Sequence, residues 1–217
     1  IVLQLSVLVS AQNTLQKKGL QIPPVVCYGS GKVERAAIPP SPEIMNALKS
    51  AGEKKSDIVV FYGTSFPENA KQAFEYAVSI WENIIESPIP IYVEANWRSL
   101  SDGILGSCGP DSYYANFDNA PHPDIYYPVS LVEKLTKTEI TGQGTPDISA
   151  SFNRNINWYF KTDLNTPDTL YDFVTVVLHE MAHGLGFTGF FFVEELLGVY
   201  GYYDYGDAAT FDLLVTR

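Results

Sequence analysis

The pentad His179-Glu180-Met181-Ala182-His183 constrains this chain more than any other stretch. On a helix, residues four apart lie one turn apart on the same face. Two neutral imidazoles placed so can converge on one Zn²⁺, each at about 2.0–2.1 Å. Glu180 falls about 100° round the helix from His179, so it flanks the metal rather than binding it. A general base for a metal-activated water belongs there. The chain has only 3 His in 217 residues, and composition alone gives ~0.0025 such matches, so the signal is specific. Val174, Val177, Leu178, Met181 and Leu185 supply an apolar helix face, and Gly184 and Gly186 a helix stop. The reading is metal ligation by His179 and His183 with Glu180 catalytic. Its alternative is two core histidines that fall at this spacing by accident.

A chain of 217 residues fits one domain with an extra segment and can bury a sizeable core. The net charge of −11 argues against nucleic acid, because it leaves little to neutralise a run of phosphates. No stretch of about 20 uninterrupted apolar residues marks a membrane span. Residues 1–9 are apolar and lead into Ser10-Ala11-Gln12, and Val9-x-Ala11 has the form of a signal-peptidase site. Residues 1–11 are therefore expected to be a signal-peptide remnant and the protein to be secreted or extracytoplasmic, the alternative being a buried N-terminal strand. Leu213-Leu214-Val215-Thr216-Arg217 carries no stop signal, so a C-terminal truncation is expected. Cys27 and Cys108 could pair in an exported protein, remain free, or give a metal a thiolate. Nothing in the residues sets an oligomeric state.

Residues 12–55 mix Lys, Gly, Ser and Pro without periodicity and read as a leader, linker or pro-segment. Gly29-Ser30-Gly31-Lys32 is not a phosphate loop, since Val26 stands where its first glycine must be. Within that segment Cys27 could be a zymogen thiolate that caps a zinc; a disulfide or an inert thiol stands beside that reading. From residue 57 the chain becomes regular, and residues 56–217 read as the main domain. Ile58-Val59-Val60-Phe61-Tyr62 predicts a strand. A helix over about 66–86, capped by Ser65, and a strand over 91–97 complete a crossover unit. Residues 98–146 read as loop around a short helix near 128–135. His122, between two prolines, reads as a turn residue. Residues 147–153 alternate as a strand, and Asn165-Thr166-Pro167-Asp168 signals a helix from about 168 to 183.

This order of elements, with a D-I-x-x-x-F strand before the H-E-x-x-H helix, resembles the catalytic domain of zincin metallopeptidases. The resemblance implies an α+β fold: a twisted mixed β-sheet with a backing helix and an active-site helix. It also implies that the 147–152 strand is the sheet edge along which an extended peptide is held by strand addition. A closer resemblance is to exported bacterial zincin-like proteins with H-E-[IM]-[GA]-H-G-L-G-F. It is carried by Pro88-Ile89-Pro90-Ile91, Leu105-Gly106-Ser107, Trp158-Tyr159-Phe160 with Thr162-Asp163, and Tyr171-Asp172-Phe173. Metzincins continue H-E-x-x-H-x-x-G-x-x-H/D. Gly186 matches their glycine, but Gly189 stands where the third ligand is expected. A catalytic zinc takes three protein ligands plus water. The candidates are Asp212, ranked first because Phe211-Asp212 is similar to an aromatic–Asp pair in the related proteins, then Glu194, Glu195, Asp204, Asp207, or a residue beyond Arg217.

The expected function is zinc-dependent hydrolysis of peptide bonds in a protein or peptide substrate by an exported metalloendopeptidase. The rival is an exported binding or adhesion module on the same fold without turnover. A purely structural zinc is weaker, since such sites favour four Cys/His ligands.

Overall fold

Ile58–Tyr62 (β2) and Ile91–Arg98 (β3) run parallel in the register Ile58↔Ile91 to Tyr62↔Ala95. Glu68–Ile84 (α1) joins them. Parallel neighbours need such a crossover, and the expected strand–helix–strand unit supplies it. The computed structural model describes residues 19–29, 42, 54–163, 165–194, 199–202 and 208–214, with backbone alone over 192–194 and 199–202. The signal-peptide segment 1–11 lies outside them. Among the described residues no helix is long and apolar enough to cross a membrane.

The protein is mixed α+β. The remaining strands are Val25–Tyr28 (β1), Ile104–Pro110 (β4), Tyr113–Tyr114 (β5), Tyr127–Pro128 (β6), Ile148–Asn153 (β7), Trp158–Tyr159 (β8), Tyr171–Asp172 (β9), Phe191–Glu194 (β10) and Val199–Tyr202 (β11). The helices Val129–Thr136 (α2) and Phe173–Gly184 (α3) and a 3-10 turn at Thr210–Leu214 complete the described elements. Five strands form one mixed sheet in the order β1-β4-β7-β3-β2. β2, β3 and β7 are parallel, β4 runs antiparallel to β7, and β1 antiparallel to β4.

The period-2 pattern decides which face is covered. Ile58, Ile91, Val93, Ala95, Ile148, Ala150 and Phe152 alternate along their strands and join one core with Ala70, Phe74 and Ala77 of α1 and Phe173, Val177 and Met181 of α3. Phe173 is the hub of its aromatic part. Its ring centroid lies 5.1 Å from Phe152, 5.1 Å from Trp158, 5.3 Å from Phe160 and 5.7 Å from Trp97. The first residue of α3 is thus fixed from several sides.

Four expectations change. β7 is no edge, because β4 and β3 take both its sides. Residues 104–110, read as loop, form β4. Its glycines are there for close approach: a Cβ on Gly106 would meet Glu180 Cγ at 3.2 Å, and one on Gly109 would meet Pro24 Cα at 3.1 Å. Ser65 does not cap α1; Pro67 occupies the N-cap, and the Ser65 hydroxyl donates to the Trp97 carbonyl at 2.9 Å. The last helix starts at Phe173 rather than 168, because Asp172 is its N-cap and accepts from the Thr175 N–H at 2.7 Å. Within residues 12–55, Val25–Tyr28 is sheet-bound as β1.

Candidate metal centre

α3 lies across β4 and β7 and packs on α1, which presents the pentad toward the β1 end of the sheet. His179 and His183 point their Nε2 atoms at each other, 3.1 Å apart. The third member of the group comes from β1. Cys27 Sγ lies 3.1 Å from His179 Nε2 and 3.5 Å from His183 Nε2. A tetrahedron with bonds of about 2.0–2.3 Å has edges of roughly 3.3–3.6 Å. The Cys27–His183 separation lies in that range and the other two fall short of it by a few tenths of an ångström. A small spreading of the donors would admit one small thiophilic ion such as Zn²⁺. The chemistry also fits, since two imidazoles and a thiolate are all good zinc donors. The His183 Nδ1–H donates to the Phe187 carbonyl at 2.9 Å, which leaves Nε2 free to ligate.

Glu180 sits behind this group, 0% exposed, with neither carboxylate oxygen hydrogen-bonded. Burial lifts its carboxyl to about 7, with Cys27 pulling the other way. Burial, helped by the nearby Glu180 charge, pushes the Cys27 thiol up to about 12. Burial and the neighbouring His183 hold His179 below its usual value. A cysteine nucleophile needs the opposite, a lowered thiol beside a protonated histidine. A cation held between these side chains would act the other way and deprotonate the thiol outright.

The ranked third ligand is elsewhere. The Asp212 carboxylate accepts from the N–H groups of Phe190 at 2.9 Å, Phe191 at 3.4 Å and Ala209 at 2.8 Å, so it ties two loops together and lies outside the His179–His183 group. It also explains Gly189, because a Cβ there would overlap Asp212 Oδ1. Glu195, Asp204 and Asp207 lie outside the described residues, as does the side chain of Glu194. His122 is exposed in its turn. Cys27 and Cys108 do not pair; both are free thiols, and Cys108 is buried. The capping thiolate considered for Cys27 was the one available pointer to its place here. Spacing could not find it, since 152 positions separate it from His179.

A family model described as SPBPB7E8-like matches residues 57–198. The chain belongs to the SPBPB7E8-like family. The matched span carries His179, Glu180 and His183 but not Cys27, which lies in the chain before it. No curated protein and no solved structure matches the chain.

Proposed function

We propose that the protein is a zinc-dependent hydrolase of peptide bonds on a zincin-like fold, with Cys27, His179 and His183 as ligands and Glu180 as general base. One observation carries this reading: a fully buried carboxylate without hydrogen-bond partners stands beside three converging zinc donors. Bound Zn²⁺ would acidify a water and polarise the scissile carbonyl. Glu180 takes the proton from the attacking water and passes it to the leaving amine. Its carboxyl, lifted to about 7, suits both halves of that transfer near neutral pH. The His183–Phe187 hydrogen bond keeps the second imidazole in its ligating tautomer. An extended substrate strand needs a free sheet edge, and among the described residues the edge beside this site is β1.

The test is zinc content together with cleavage of an unfolded protein. The wild-type chain should hold one zinc and cleave. Glu180→Gln should keep the zinc and lose at least ~10³-fold in kcat, whereas Cys27→Ala, His179→Ala and His183→Ala should each lose zinc. Undiminished cleavage by Glu180→Gln would overturn the mechanism. Zinc binding without cleavage by the wild type would favour the exported binding module.

A further inference from the structure

We propose that Glu133, Glu139 and Asp147 form a second site, for a hard divalent cation of the Ca²⁺ type, that fastens the loop between α2 and β7 to the sheet. Their ligand atoms all lie within 4.8 Å of one another. Glu133 is 1% exposed and Asp147 0%. Each carboxylate spends one oxygen on the chain. Glu133 Oε1 accepts from the Ile140 N–H at 2.9 Å, Asp147 Oδ2 from the Tyr92 N–H at 2.8 Å, and Glu139 Oε1 from the Thr141 hydroxyl at 2.9 Å and the Gly142 N–H at 3.2 Å. The other oxygens of the two buried groups, Glu133 Oε2 and Asp147 Oδ1, have no hydrogen-bond partner.

Buried carboxyl oxygens need a partner, a proton or a cation, and a native fold rarely leaves such groups unsatisfied. Among the described residues the ion pairs are Lys54–Glu82 and Lys71–Glu68, so no lysine or arginine pairs with the trio. The donor set is all oxygen, which selects Ca²⁺ or Mg²⁺ over zinc. Mg²⁺ keeps several waters and uses one or two carboxylates, whereas three converging carboxylates in a buried place suit Ca²⁺. In the same loop Gly142 at φ 106° and Gly144 at φ 80° take backbone angles that favour glycine. The site reaches the metal-motif helix through one step of chain. Ile148 follows Asp147, and its Cγ2 fills the space that a Cβ on Gly184 would take. The competing relief is a proton shared between Glu133 and Asp147.

The experiment uses the full chain, stripped on a chelating resin and reloaded with one equivalent of Zn²⁺, then titrated with CaCl₂ by calorimetry and thermal melting. One Ca²⁺ should bind per chain and raise the Tm by about 5–10 °C at a hundredfold excess over Kd. Glu133→Gln and Glu139→Gln should weaken Ca²⁺ binding at least tenfold. Glu139 is only partly buried and its amide keeps an acceptor for Thr141, so that variant should fold. His179→Ala should bind Ca²⁺ as the wild type does, which separates this site from the zinc reading. A wild type with no Ca²⁺ heat, whose stability responds to pH alone, would make the trio a shared proton and overturn the proposal. Equal Ca²⁺ affinity in Glu139→Gln and the wild type would overturn it as well.

Discussion

Glu180 combines complete burial with two unpartnered oxygens, an arrangement that stability alone does not favour. The sign of its effect follows from its lifted carboxyl. The folded chain binds the Glu180 proton more tightly than the unfolded chain, whose value is near 4.5. Its contribution is therefore fully present below about pH 4.5 and is lost as pH rises to about 7. The loss is on the order of 3 kcal/mol. Melting curves of the zinc-free wild type and Glu180→Gln should diverge across that window, with the variant flatter; parallel curves would show that Glu180 carries no such cost. The placement of Glu180 beside His179 and His183 was legible at this scale because residues on one helix have a fixed angular offset. Cys27 was not, since its partnership with His179 exists only after β1 joins the sheet. Asp212 misled because a carboxylate after the helix looks the same in sequence whether it binds a metal or caps backbone N–H groups.

At the level of single elements, α3 is aimed by its two ends. Asp172 caps its start and also accepts from the Thr166 hydroxyl at 2.6 Å. Asp172→Ala should cost about 1 kcal/mol, read as a lower denaturation midpoint with unchanged zinc content. Phe173→Ala removes the ring that Trp97, Phe152, Trp158 and Phe160 surround and should cost about 3–5 kcal/mol. β4 acts differently, through the absence of side chains. Gly106→Ala would set a methyl 3.2 Å from Glu180 Oε1 and from the Ser151 carbonyl. The expected result is a kcat at least tenfold lower with zinc retained, and an unchanged kcat would mean that Glu180 tolerates displacement. β2, β3, α1 and β7 were legible because their periodicity is local. β4 was hidden, since glycine that admits a neighbour looks like glycine that makes a turn.

Across the whole molecule, the sequence pattern gave the crossover unit and the helix-backed sheet, but not the sheet's order. Order depends on which strand accepts β4, and the pairing Gly106↔Phe152 to Pro110↔Ile148 joins segments about forty residues apart. The expected edge became an interior strand for that reason. The place of Cys27 has a further consequence for the way the chain holds together. An ion bound by Cys27, His179 and His183 would be a removable cross-link between an early strand and a late helix, enclosing 152 positions. Closing a loop of that length restricts the unfolded chain by an entropy worth on the order of 5 kcal/mol in the chain-entropy account. Stripping zinc should thus lower the melting temperature of the wild type far more than that of Cys27→Ser. On the proposed function, the ion that activates water would also set how long the folded chain survives, and metal supply would govern the protein's lifetime as well as its rate.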